Sequence, residues 1–360
     1  MQVSGWLTIG CVVLAGCSKP TSSTKSETAS EPSAARPAVM APGESLKHLP
    51  AGCAVAGSFD WKQLANAPQL TAHRKETQQA VAKHAGPRVP MLSRLFEQMG
   101  VSAQDGVERG AFCLGELPAG HTGPARNAPF VVALSGPFQQ KGPLDAMQQL
   151  AAPGTFRERQ VGGLRALQRG ARLFVQTKDQ VLLISNDEQL LQAALVESDA
   201  HKSYDLPRGP AISLVASEAA VRTLVPEGES AKAHPIQVEL AKAKRLEAKL
   251  SLVPGELAVT LSMPSDKDAL ASSSRLERVL SPLMEDGPHL TQLKQRVPGD
   301  LLTALKSIRF KTEASKVVAT APLSEAALGE LLHGFGALSV LSQASAQAPE
   351  PAAPTGGSVP

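Results

Sequence analysis

The sequence predicts an α+β fold built as two tandem ferredoxin-like (split βαβ) antiparallel layers related by duplication. Short runs in which apolar and polar residues alternate, joined by turns containing Gly or Pro, have the pattern of antiparallel hairpins. Between them, apolar residues recur three and four positions apart, which interleaves one-faced helices with the hairpins. The order strand, helix, hairpin, helix, strand pair, helix occurs once in residues 46–205 and again in 206–340.

In the first half, Ala51 to Phe59 reads as a strand, followed by helical segments around Trp61 to Lys83 and Met91 to Met99. Gly110 to Leu117 and Pro129 to Phe138 are strands, and Leu144 to Leu150 is a short helix. Gly163 to Gln168, Arg172 to Gln176 and Val181 to Ser185 are strands, ending in a helix from Asp187 to Val196. The Pro207-Arg208-Gly209-Pro210 run interrupts any regular element and marks the break between halves.

The second half starts with a strand at Pro210 to Ala216 and a helical stretch to Ala243. Leu246, Ala248, Leu250 and Leu252 alternate with polar residues, as do Leu257, Val259, Leu261 and Met263, with Pro254-Gly255 as the hairpin turn and Gly supplying positive φ. Helices around Lys267 to Met284 and Leu290 to Leu305 lead to strands at Ile308 to Thr312 and Lys316 to Thr320, then a helix from Glu325 to Phe335. Ser185-Asn186-Asp187-Glu188 has the capping-box pattern, in which a Ser hydroxyl accepts from a first-turn amide and the Glu reaches back. Ser324-Glu325 is its counterpart without the reciprocal acid. The helices behind these joints carry Leu190, Leu191, Ala194, Leu195 and Leu328, Leu331, Leu332 on one face each.

Ahead of the body lies an apolar run from Trp6 to Ala15. About ten residues is the length of a signal-peptide core and half of the roughly 20 that span a bilayer. Leu14-Ala15-Gly16-Cys17 closes the run and resembles the lipobox of bacterial lipoproteins, although Met1 to Gly5 carries no Lys or Arg. The resemblance implies cleavage of residues 1–16, thioether acylation of Cys17 and acylation of the new amino terminus. Two or more chains make an anchor that does not readily dissociate, at roughly 0.8 kcal/mol per buried methylene. By the same analogy, Ser18 in place of Asp after the cysteine favours the outer membrane. From Leu49-Pro50-Ala51 onward, residues 46–340 also resemble uncharacterised lipoproteins of delta-proteobacteria, myxobacteria among them.

Residues 17–45 hold the lipidated cysteine and a Ser, Thr, Ala, Pro, Glu and Lys tether too polar to repay the entropy of ordering. Such a tether reaches some 30 Å. Residues 341–360, rich in Ala, Pro, Gly and Ser, read as a disordered tail. Of the four cysteines, Cys11 leaves with the signal peptide and Cys17 carries lipid. Cys53 and Cys113 remain in an oxidising compartment, as a disulfide or as two buried thiols.

The formal charge of +3 comes from dispersed residues and leaves no footprint for nucleic acid. His48, His73, His84, His121, His201, His234, His289 and His333 are scattered, without HExxH or CxxC, so no metal set is expected. Only His73 and His84 fall on one face of a predicted helix. Ala133-Leu134-Ser135-Gly136 is not a nucleophile elbow, and Gly162-Gly163 is too short for a dinucleotide fingerprint. Asp266 with Asp268 and Glu285 with Asp286 suit helix starts or turns. Trp61 and Tyr204 beside the phenylalanines are too few aromatics for carbohydrate stacking, and Trp61 opens an amphipathic helix as a core residue.

The expectation is therefore a non-enzymatic, lipid-anchored envelope protein without cofactor, acting as a binding or scaffolding module for another envelope protein. An aliphatic, aromatic-poor core leaves open a carrier of lipid or another apolar ligand, and a hydrolase would need titratable groups converging in a cleft.

Overall fold

The computed structural model describes residues 44–68, 107–116, 128–138, 142–151, 153–197, 199–206, 209–223, 235–284 and 299–331. The predicted signal peptide, Cys17, nearly all of the tether, the helical segments in 69–106 and the tail lie outside them. The strands are β1 (Val55–Asp60), β2 (Arg109–Leu114), β3 (Phe130–Ser135), β4 (Arg157–Val161), β5 (Leu164–Arg169) and β6 (Arg172–Gln176). They continue with β7 (Leu182–Ser185), β8 (Ile212–Ser217), β9 (Arg245–Leu252), β10 (Gly255–Ser262), β11 (Arg309–Glu313) and β12 (Lys316–Pro322). All twelve belong to one sheet in the order β11-β12-β10-β9-β8-β1-β2-β3-β7-β6-β5-β4. The helices are α1 (Trp61–Ala65), α2 (Gly142–Leu150), α3 (Glu188–Leu195), α4 (Ala200–Tyr204), α5 (Glu218–Arg222), α6 (Pro235–Leu240), α7 (Asp266–Met284) and α8 (Gly299–Lys306), then α9 at 325–331.

This is a mixed α+β architecture around one large antiparallel sheet. Its order only partly follows the split βαβ scheme. β10 and β11, joined through α7 and α8, run parallel with β12 between them, which is such a unit. The crossover from β3 through α2 to β4 instead skips three strands. A complete ferredoxin-like layer would place a strand that follows β12 beside β10; that position is held by β9, which precedes it.

Register sorts the side chains onto two faces. Phe59, Phe112, Val132, Leu134, Leu182, Leu250 and Leu261 share the first, where Leu64, Leu144, Ala269 and Leu276 from α1, α2 and α7 complete one apolar cluster. Ala56, Ala111, Cys113, Val131, Ala133, Val175 and Leu183 share the second, under Leu191 and Ala194 of α3. Helices therefore cover both faces. Across β9 and β10 the second face carries Arg245, Glu247, Lys249, Thr260 and Ser262, all only partly buried.

Two glycines make room for rings at the centre of the sheet. A Cβ on Gly57 would sit 2.2 Å from the Phe112 ring, and one on Gly110 would sit 2.1 Å from that of Phe59.

Three local readings change. β4 was hidden because Arg157-Glu158-Arg159-Gln160 shows no apolar alternation; it is an edge strand, where charge discourages pairing with another chain. Gly255 lacks the positive φ expected of it. Its missing side chain instead admits the Leu323 carbonyl, 2.3 Å from where a Cβ would stand, and its own carbonyl accepts from the Leu323 amide at 2.8 Å. The cap of α3 is Asp187, accepting from the Leu190 amide at 2.8 Å. Ser185 accepts from the Asp187 amide and donates to the Phe130 carbonyl, while Glu188 accepts from Arg159 at 2.7 Å. Ser324 does cap its helix, accepting from the Ala327 amide at 3.1 Å.

Candidate functional site

The most heavily fastened part of the second face is a strap, residues 44–53, the first described segment after the predicted tether. Ser45–His48 forms one 3-10 turn, closed by Lys47 N–H to the Glu44 carbonyl at 3.0 Å and Leu49 N–H to the Leu46 carbonyl at 3.1 Å. Leu49, 1% exposed, drops into the cluster of Ala56, Ala111, Val131 and Ala133. The small side chains of β1 to β3 on this face are what let a strand-less segment lie close to the sheet.

Three attachments hold it. Cys53 and Cys113 form a disulfide with 5.3 Å between Cα atoms, joining the strap to β2. Tyr204, at the end of α4, donates its hydroxyl to the Pro50 carbonyl at 2.6 Å and accepts from the Cys53 amide at 2.9 Å. His48, 1% exposed, places Nδ1 2.8 Å from the Ala194 carbonyl and Nε2 3.1 Å from Oδ2 of Asp179. Asp179 lies in the β6–β7 turn and also accepts from the Thr177 hydroxyl. The clamp reaches the second half through Arg245 of β9, which donates to the Tyr204 carbonyl.

Burial pushes the Asp179 carboxyl up, but hydrogen bonds from Thr177 and His48 and attraction to His48 outweigh it, leaving the group below the usual Asp value. Burial dominates at Tyr204 and raises its phenol, against hydrogen bonds from the Cys53 and Gly52 backbone. This arrangement can hold a segment in place.

The structure brings Cys53 and Cys113 together, while Cys17, His73 and His84 lie outside the described residues, as do His121, His234, His289, His333, Glu285 and Asp286. Trp61 is core, 8% exposed. Asp266 and Asp268 open α7, where Ser265 caps the Asp268 amide at 3.2 Å and donates to its carboxylate at 2.7 Å. Among the described residues no group of three His, Cys, Asp or Glu is placed to hold a metal, and no helix is long and apolar enough to cross a membrane. Sequence reasoning missed His48, Asp179 and the anchoring role of Tyr204. The available signal was that Tyr204 is the chain's single tyrosine; nothing local paired His48 with a residue 131 positions away.

No protein-family model matches the sequence, and no curated protein matches it significantly. Among solved structures, the chain is similar to crystal form III of TP0453, with a TM-score of 0.45 and 9% identity over 81% of this chain and 98% of that one. Crystal forms I and IV of TP0453 give TM-scores of 0.40 and 0.41 at 10% and 9% identity, over 81% of this chain and 98% and 96% of those.

Proposed function

We propose that this protein is a membrane-anchored envelope lipoprotein whose body is a non-enzymatic binding or scaffolding module. The observation that carries the reading is the strap. The segment that follows Cys17 and its tether enters the fold through a disulfide at Cys53, the buried His48, and a hydrogen-bonded pair of contacts from the half-buried Tyr204 of α4 to Pro50 and Cys53. A covalent fastening at the point of entry suits a body hung from a lipid, and a disulfide suits an oxidising envelope compartment. Replacing Cys17 with Ser should release the protein from membranes and abolish acyl labelling; membrane retention with the label intact would end the reading.

We also infer that the body arose by internal duplication. Running outward from the β1–β8 junction, β1-β2-β3-β7-β6 and β8-β9-β10-β12-β11 have the same order, with Gly57 opposite Leu214 at the centre of the junction. Aligning β1 with β8 end to end and following the registers outward equates Arg109 with Arg245, Leu114 with Leu250, and Val132, Leu134 and Ser135 with Val259, Leu261 and Ser262. It also equates Phe174 with Phe310. The helix joints agree less closely. The strand ends equate Ser185 with Thr320, so the two capping residues fall two positions out of step. An experimental structure in which the β9–β10 hairpin fails to superpose on β2–β3 together with the strands beyond them would refute the duplication.

The first face supports a second reading, a carrier of lipid or another apolar ligand. Ile184, Ile212, Leu214, Leu246, Leu257 and Val259 cross the middle of the sheet there without full burial. A fluorescent fatty acid titrated into the protein would gain emission and compete with unlabelled lipid on this reading. An unchanged spectrum at saturating protein would exclude it.

A further inference from the structure

The proton inventory of His48 sets the strap apart from an ordinary packed segment. Its Nδ1 faces the Ala194 carbonyl at 2.8 Å and its Nε2 faces the Asp179 carboxylate at 3.1 Å. Both oxygens are acceptors, so both ring nitrogens must donate, and a neutral imidazole carries only one N–H. With the ring 1% exposed, no water can fill in for the missing proton. We propose that His48 is a proton-operated latch: as the imidazolium it ties the strap to α3 and to the β6–β7 turn, and loss of one proton frees the tether's entry segment while the disulfide at Cys53 keeps it attached.

Asp179 is itself held as a carboxylate by the Thr177 hydroxyl, whose oxygen also accepts from the Val181 amide at 3.0 Å. The strap's other charged neighbours are further out. Lys47 stands 3.9 Å from Glu197, beyond the end of α3, with both side chains about half exposed. On α4 and its cap, Asp199 pairs with Lys202 at 2.9 Å and feels His201 and Lys47 only through space. Beneath the strap, β2 and β3 offer Ala111, Cys113, Val131 and Ala133, which carry no charge. Deprotonation leaves a buried acceptor facing a nitrogen lone pair. The turn Ser45–His48 then keeps its two backbone bonds and the packing of Leu46 and Leu49 on the second face, but no longer both bonds of the His48 ring.

The test is amide exchange on the intact, oxidised chain, corrected for intrinsic rates, from about pH 5 to about pH 9, the span over which imidazoles change charge. Protection of Lys47 and Leu49, relative to Val132 and Leu183 in the sheet, is expected to fall by up to about tenfold per pH unit through the transition, as linkage to one proton requires. In Asp179→Asn the slope should flatten. A ratio that stays constant with pH would overturn the latch, and the same slope in Asp179→Asn would overturn it too and point instead to Glu197, Asp199 or His201. Nitrogen-15 spectra of the His48 ring provide a reading that needs no variant. Two protonated nitrogens while the strap is protected support the proposal, and one bare nitrogen with the strap still protected refutes it.

Discussion

Removing the Cys53–Cys113 bridge should cost the protein much of its stability, and mostly through the unfolded chain. The bridge closes a loop spanning 60 residues, for which the chain-entropy model gives about 4 kcal/mol at room temperature. In the folded state little should change, because Cys113 is fully buried and Cys53 nearly so, among alanines and valines that tolerate a small side chain. The double variant C53A/C113A adds up to about 1 kcal/mol for the space left by two sulfurs, for a total of about 4 to 5 kcal/mol. Domains are commonly stable by only about 5 to 15 kcal/mol. Guanidinium unfolding under non-reducing conditions reads the difference. The denaturant slope should also rise, since an uncrosslinked chain exposes more surface. A loss below about 1.5 kcal/mol would refute the estimate. A larger loss with an unchanged slope would move its origin from the unfolded chain to native packing.

The ring-over-glycine pairs give a double-mutant cycle: Gly57→Ala forces a methyl into the Phe112 ring and to 2.9 Å from the Ser213 carbonyl, costing about 1 to 3 kcal/mol, and Phe112→Ala costs about 3 to 5. Together they should cost at least about 1 kcal/mol less than the sum; additivity in urea unfolding would show that the ring does not occupy that space. Acid should destabilise the fold through Glu239, whose carboxyl burial raises but hydrogen bonds from Lys242 and Ser272 and the charges of Lys242 and Arg275 bring below its usual value. A depressed carboxyl contributes stability above its unfolded value that is lost as pH falls through the folded value, so Glu239→Gln should narrow the difference in midpoint between neutral and acidic urea titrations, and an unchanged difference would count against it. As the only tyrosine, Tyr204 reports its own ionisation by phenolate absorbance, which should appear above the ordinary value of about 10 while the protein is folded. Tyr204→Phe should cost about 1 to 3 kcal/mol by leaving the Pro50 carbonyl and Cys53 amide unpaired, with thermal melting as the readout.

Much of the sheet was legible because its apolar face is written in period two. Leu246 to Leu252 alternates without interruption and Leu257 to Met263 does so but for Ala258, and the structure pairs Leu250 with Leu257 as that alternation requires. β4 was not legible, since an edge strand bound on one side needs no apolar face. The cap of α3 moved from Ser185 to Asp187 because four consecutive polar residues offer several side chains to the same amides, and strand β3 captured the Ser185 hydroxyl first. The clamp was harder still. His48 meets Asp179 and Tyr204 meets Cys53 across 131 and 151 positions, and a lone His or Tyr in an otherwise ordinary segment carries no trace of a partner brought near only by sheet topology. The cysteines were the exception, since once the expected signal peptide and lipobox account for Cys11 and Cys17, Cys53 and Cys113 could pair only with each other.

On the duplication reading, the two halves differ in polarity where the strap sits. The register alignment that equates Leu114 with Leu250 also equates Ala111 with Glu247 and Cys113 with Lys249. Both pairs lie on the second face, so the same positions are alanine and half-cystine under the strap in one half and an ion-paired Glu and Lys, 3.8 Å apart, in the other. A charge pair there needs solvent on that side, because its attraction is modest and its desolvation costly. A small, uncharged floor needs a cover, and residues 44–53 with α3 supply it. At the centre of the sheet the exchange runs the other way: Gly57 opposite Phe112 becomes Leu214 opposite Ala248, the bulk moving across the strand pair while the first face stays apolar. Conserved volume on that face and opposite polarity on the other are what two copies would show if both kept the core and only the first took on the attachment of the tether.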